Sequence, residues 1–295
     1  MLLKFKTAEM CTTKGGTMKK AVWIFGLIFS AILFSQPVLG DDNETEYGPW
    51  KKFSISFGGF IAEIDTEVRL DSKTLGLGTV LDVEELFNLD DDVRVFRSDG
   101  HYRFSDNGRH RVDFTYYDLS RDATSTLSQD IQVGDQTFNI GDTVRTKFGL
   151  EFFKAAYAYS FLMNDASDIS ASAGLFMTKF ELELETAAAG IEEFEEFLIP
   201  LPVIGLRANF ALTPKLILKE SLDLFYLKYE SFKGHLVDLN LALEYRIWKH
   251  VGLGLGYEAT RIEIEAEDDD DEPLDLAGKI DFRYDGVLFY GVYYF

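Results

Sequence analysis

From about residue 53 to its last residue the chain alternates apolar and polar side chains with a period of two. The clearest stretch is Leu236–Ile247, where Val237, Leu239, Leu241, Leu243, Tyr245 and Ile247 interleave with Asp238, Asn240, Ala242, Glu244 and Arg246. Phe96–Phe104 and Arg111–Tyr116 repeat the pattern. Such alternation places one face of a strand on an apolar medium and the other on a polar one. After residue 40 no apolar run approaches the roughly 18–20 residues that a membrane-crossing helix needs. If the chain enters a bilayer it must do so as a closed barrel, because only helices and barrels satisfy their own backbone groups in lipid.

Ten strands are expected, at roughly 53–70, 92–104, 110–124, 143–161, 169–184, 199–212, 216–230, 235–247, 251–265 and 279–295. The fold class is therefore all-β, a transmembrane antiparallel up-and-down β-barrel of about ten strands, with eight strands and two soluble hairpins as the alternative. Short turns at Ser105–Arg109, Asn164–Asp168, Thr213–Lys215 and Trp248–His250 are expected at one end. Longer loops at 71–91, 125–142, 185–198 and 266–278 are expected at the other, Ser231–Gly234 being the short exception. Two segments change character partway: Phe53, Ile55 and Phe57 give way to Ile64, Val68 and Leu70, and Leu175 gives way to Phe180, Leu182 and Leu184. Either a β-bulge or a strand leaving the membrane accounts for this. Pro200 and Pro202 fall at the upper end of the sixth strand, where ladder bonds can lapse. Trp50, Trp248, Phe104, Phe161, Tyr293 and Phe295 map to the short-turn rim, as an aromatic girdle requires. A soluble sandwich or barrel would have to bury two-sided segments such as Val287–Phe295 and crowd its exterior with negative charge.

The N-terminus carries an export signal. Met18-Lys19-Lys20 precedes an apolar stretch from Ala21 to Ser35, and Val38 and Gly40 occupy the −3 and −1 positions of a cleavage site before Asp41. Residues 1–40 are thus expected to be an N-terminal extension plus secretory signal peptide, with Met18 as initiator, and residues 41–295 the barrel. The single cysteine, Cys11, precedes that cleavage site, so the remainder has no disulfide or thiol chemistry. Removing residues 1–40 leaves 24 basic and 49 acidic side chains, a net of −25. That charge argues against nucleic-acid partners, which require basic surfaces, while 15% aromatic content argues against disorder.

The last residues, Val287, Phe289, Gly291, Tyr293 and Phe295 at alternate positions with Phe295 terminal, resemble the C-terminal assembly signal of bacterial outer-membrane barrels. Gly76-Leu77-Gly78-Thr79 followed by Asp82–Asp90, the stretch Leu201–Arg207, and Glu244-Tyr245-Arg246 followed by Gly252–Tyr257 resemble an uncharacterised family of small proteobacterial outer-membrane proteins. The resemblance implies residence in the outer membrane among its lipids and lipopolysaccharide. It also implies periplasmic chaperones and the barrel-assembly machinery as partners. It brings no known activity.

Alternation points Arg97, Arg103, Arg111, Arg207, Lys219 and Arg246 into the lumen against Asp99, Asp113, Asp223, Asp238, Glu244 and Glu258. Ion selectivity usually rests on a ring of one sign, so this balance predicts a paired network in a largely filled lumen. Small inward residues (Ser54, Ser56, Ala156, Ala158, Ser160, Ser170, Ser172, Gly252, Gly254, Gly256) leave room for the long ones. His101, between Asp99 and Arg103, is expected to be an ion-paired core histidine, with His110, His235 and His250 near the rims. No Gly-x-Ser-x-Gly, metal-ligand histidine pair or phosphate loop occurs, so no catalytic residue and no cofactor is expected. Acidic stretches at Asp90–Asp92, Glu192–Glu196 and Asp268–Glu272 are placed in external loops. Of these, Asp268, Asp269, Asp270 and Asp271 are weak candidates for hard-cation capture, although their spacing matches no defined loop. Leu81–Leu89 has the pattern of a short amphipathic helix over the first loop. Two functions remain: an envelope barrel in a structural or ligand-binding role, and a narrow channel for small solutes. A membrane-embedded hydrolase is a weaker third.

Overall fold

The computed structural model describes residues 49–71, 79–133, 136–186, 191–229, 232–266 and 278–295. Among them ten long strands follow in order: β1 (Phe53–Leu70), β2 (Asp92–Arg103), β3 (His110–Thr126), β4 (Thr143–Met163), β5 (Ser167–Thr186), β6 (Ile191–Ala211), β7 (Leu216–Tyr229), β8 (Phe232–Trp248), β9 (Val251–Ala266) and β10 (Gly278–Tyr294). Each pairs antiparallel with the next. β10 then pairs back on β1 from Ser54–Tyr294 to Leu70–Gly278, closing the barrel. Ten strands, not eight, build the wall.

The short turns are set by side chains that accept backbone donors. Asn107 Oδ1 accepts from Arg109 N at 3.0 Å, Asn164 Oδ1 from Ala166 N and Ser167 N at 2.9 and 2.8 Å, and Thr213 Oγ1 from Leu216 N at 3.0 Å.

The strands are 12 to 21 residues long, whereas about 9–11 tilted residues cross a bilayer. Both β1 and β5 keep one parity across the change in character seen in the sequence. Outward on β1 are Phe53, Ile55, Phe57, Gly59 and Ile61, and then Glu63, Asp65, Glu67 and Arg69; inward are Ser54 and Ser56, and then Phe60, Ala62, Ile64, Val68 and Leu70. β5 behaves alike: Leu175 and Met177 outward give way to Lys179, Glu181 and Glu183, while inward Ser170 and Ser172 give way to Phe176, Phe180, Leu182 and Leu184. No bulge causes the change in character, since β1 holds continuous register with both neighbours. Register shifts occur instead near the short turns, at Ser160/Leu162 and Arg246/Trp248. The change marks where the wall leaves its apolar surroundings. Below that level the barrel is apolar outside and polar inside; above it the two faces exchange. From Phe53 to Ile61 the outward apolar positions rise roughly 20 Å along the barrel axis, allowing for a strand tilt of about 45°.

Two expectations are corrected. The connection assigned to 185–198 is mostly strand, because β5 runs to Thr186 and β6 begins at Ile191. Glu192, Glu193, Glu195 and Glu196 therefore belong to a strand, and Glu196 lies 3.2 Å from Lys179 Nζ on β5. Pro200 and Pro202 share one parity, so their missing donors fall towards one neighbour. The β5 ladder continues past them, while the β7 ladder ends at Ile204–Leu224.

At the long-loop end the lumen is filled. Phe60, Tyr117, Phe152 and Tyr284 form a fully buried aromatic layer, with Tyr117 stacked on Phe152 at 4.7 Å and Phe60 edge-on to Tyr284 at 5.7 Å. Phe148, Phe176, Phe180 and Phe282 extend it. The expected helix is present as α1 (Val83–Phe87), capped by Asp82, whose side chain accepts from Glu85 N, and it buries Val83 and Phe87. Glu84 fastens α1 to the wall: it accepts from Thr66 N and Thr66 Oγ1, both at 2.8 Å, and pairs with Arg121 at 2.7 Å. A small hairpin, Ile131–Val133 with Gln136–Phe138, adds buried Ile131, Val133 and Phe138 beside it.

Candidate functional site

The lower lumen gathers every charge that alternation points inward. Arg97 is buried between the aromatic layer and the polar network. Its guanidinium stands 5.1 Å from the Tyr117 ring centroid, pairs with Asp99 at 2.9 Å and donates to Glu258. Glu258 also accepts from Asn240 and from Tyr284, each at 2.8 Å. Arg207 makes a forked contact with Asp223 at 2.7 and 3.0 Å, the geometry that suits guanidinium to carboxylate. Lys219 donates to Glu244 at 2.6 Å, and Glu244 accepts further from Tyr290 at 2.8 Å and Tyr294 at 2.7 Å. Asp238 accepts from Thr260 at 2.7 Å. Arg111 lies 2.7 Å from Asp113, while Arg246 donates to the Pro49 carbonyl oxygen and lies 4.8 Å from the Tyr294 ring centroid. All twelve anticipated charges face the lumen, and pairing is what makes their burial tolerable.

Two members of the network escape a reading by residue type. Lys154 on β4 bridges Asp223, at 3.0 Å, and Asp238. It shares the parity of Ala156 and Ala158, so alternation alone places it inward. Asp168, which the sequence places in a turn, opens β5 and accepts from Arg103 at 2.6 Å and from Arg111 at 3.3 Å. His101 is not ion-paired. Its Nε2 lies 3.2 Å from the Lys51 carbonyl oxygen, which can only accept, so in the neutral ring Nδ1 accepts from Ser54 Oγ at 2.8 Å. Asp99 and Arg103, its neighbours at alternate positions, are engaged by Arg97 and Asp168 instead.

The small residues act as anticipated. A Cβ on Gly254 would stand 2.1 Å from Tyr290 Cζ, so the bare backbone of β9 is what lets the tyrosine ring reach Glu244.

A cavity of about 170 Å³ remains at the short-turn end. Residues 49–52 lie across its mouth. Besides the Pro49 and Lys51 carbonyl contacts, Trp50 Nε1 donates to Asn164 O and Arg103 N donates to Lys52 O at 2.7 Å. Trp50 thus closes over the lumen, whereas Phe104, Phe161, Trp248, Tyr293 and Phe295 are exposed on the outer rim as a girdle. Among the described residues no group of His, Cys, Asp and Glu is arranged to hold a metal ion; Asp268, Asp269, Asp270 and Asp271 lie outside them.

No protein-family profile matches the sequence, and no curated protein matches it. Among solved structures, the chain superposes on the outer membrane protease OmpT from Escherichia coli with a TM-score of 0.50 at 9% identity, over 82% of this chain and 96% of that one. The fold is that of an outer-membrane β-barrel. Looser matches include Ail from Yersinia pestis (TM-score 0.35, 12% identity, 82% of this chain and 99% of that one) and a FadL homologue from Pseudomonas aeruginosa (0.36, 9%, 82% and 90%). At these identities the likeness extends to the fold and no further. Within that fold, Val287, Phe289, Gly291 and Tyr293 occupy the outward face of β10, the strand that closes the barrel, and Phe295 follows it.

Proposed function

We propose that the protein is an integral barrel of the bacterial outer membrane, in a structural or ligand-binding role, with a lumen sealed towards the exterior and open as a shallow cup towards the periplasm. The observation that carries this reading is the double filling of the lumen. A charge-paired layer occupies the membrane level, and an aromatic layer covered by α1 lies above it. An ion crossing the barrel would have to displace buried aromatic rings packed at 4.7–5.9 Å and break desolvated ion pairs. The export signal at 18–40, the apolar outward band and the C-terminal aromatic strand support the location. The same features make outer-membrane lipid, lipopolysaccharide and the barrel-assembly machinery its partners.

Single-channel recording of the purified protein in planar bilayers tests the sealed lumen. The expected trace has no steady openings. Steady openings that change with substitution of Arg97 or Glu244 would replace this reading with that of a narrow solute channel.

A further inference from the structure

The cavity at the periplasmic end has a wall unlike the rest of the molecule. The chain carries a net charge of −21. Yet among the described residues three lysines and five arginines line this cavity against three inward carboxylates, Asp99, Asp113 and Glu244. Glu220 also borders it, with its side chain buried. The other lumen carboxylates, Asp168, Asp223, Asp238 and Glu258, do not line it. The network therefore recesses its negative ends and presents cationic ones to the void.

Two of those cations retain capacity to donate. Lys51, at the mouth, has no ion pair among the described residues. Burial lowers its ammonium pKa below the usual lysine value, and repulsion from Arg246 and Lys249 lowers it further, which reports a positive local field. Lys219 is about a third exposed and gives one bond, to Glu244. Arg103 adds positive charge to the wall but is buried, its guanidinium donating to Gly108 O and to Asp168. His101 holds the Lys51 main chain over the void, and Asn209 adds a neutral amide to the wall. A cluster of cations with spare donors, facing a void sized for a small solute, is the arrangement that recognises an oxyanion.

We propose that this cavity binds a small periplasmic oxyanion, a phosphate or carboxylate group, captured by Lys51 at the mouth and by Lys219 inside. The proposal rests on the reading of the lumen as a cup entered from the periplasm and names the ligand class of that cup.

The test is isothermal titration of the refolded barrel in detergent with inorganic phosphate and, separately, with succinate, each against sodium chloride at matched ionic strength. Saturable heat is expected with at least one of the two, and not with chloride; which of them binds identifies the source of the oxyanion. Lys51→Gln should weaken binding by about tenfold or more, the loss expected of one charge-assisted contact, and Lys51→Arg should restore most of it. Among the described residues the Lys51 side chain bears no structural bond, so both variants are expected to keep the heat-modifiable folded form. No saturable binding of either oxyanion, or equal affinity in the wild type and Lys51→Gln, overturns the proposal. Bilayer recording of the same preparation separates the two readings: steady conductance with intact, Lys51-dependent binding would sink the sealed lumen and leave the anion site standing.

Discussion

Gly286→Val is expected to abolish closure of the barrel, while Gly291→Val, five residues further along the same strand, should leave it intact. Gly286 pairs with Ala62 across the β10–β1 junction, and a Cβ placed there would lie 2.2 Å from the Ile61 carbonyl oxygen and 2.7 Å from Ala62 Cα. Both obstacles are main chain, so no rotamer change relieves them. The two strands would have to part at the pairing that turns the sheet into a barrel. Each backbone group stripped of its partner in lipid costs several kcal/mol, and a sheet opened there exposes two edges. Gly291 faces outward, with nothing within 4 Å of its would-be Cβ. Folding into detergent micelles, followed by the shift between unheated and heated bands on a gel, reads the outcome. Wild-type folding by Gly286→Val, or equal failure by Gly291→Val, would show that the closing register is not the one described.

The second large effect is expected at Arg97. Its replacement by methionine keeps most of the volume but leaves Glu258 buried, with hydrogen bonds from Asn240 and Tyr284 and without its cation, and releases Asp99. Breaking one partner out of a buried pair typically costs about 3–5 kcal/mol, and the urea midpoint of the vesicle-inserted barrel should fall accordingly. Arg97→Met combined with Glu258→Gln removes both charges. It should therefore be less destabilised than the sum of the single changes, by more than about 1 kcal/mol if the two residues form one unit. A midpoint for Arg97→Met close to that of the wild type would mean that the network fills space without holding the lumen together.

How far these sites were legible in the sequence follows from what periodicity encodes. Alternation gives the face of each residue, and distance from a short turn gives its height. Hence Arg97, Asp99, Arg103, Arg111, Asp113, Arg207, Lys219, Asp223, Asp238, Glu244, Arg246 and Glu258 all fall inside, as expected. The same rule reaches Lys154, which a search for charged alternation passes over because its neighbours are alanines. Asp168 was hidden by its place at the edge of a turn. The change in character along β1 and β5 was visible but ambiguous, since an apolar face that moves from outside to inside looks in one dimension like a shift of register. The acidic start of β6 resembled a loop because exposed strands and loops share a taste for charge once lipid no longer selects against it.

Sequence alone pointed to an all-β chain of about ten strands, with eight as the alternative, and to the faces of its regularly alternating segments, because a strand's period is a local property of its pleat. It also placed the charges in the lumen and the closing strand at the C-terminus. Only the tertiary structure decided which charges pair: Arg97 meets Glu258 on β9, and Lys154 meets Asp223 and Asp238 on β7 and β8. Those contacts cross the barrel, and the register with which β10 returns to β1 sets which residues stand opposite one another at a given height. The same closure sets Tyr284 edge-on to Tyr117, itself stacked on its cross-strand partner Phe152, and leaves Lys51 over a cation-lined cavity that no single strand contains.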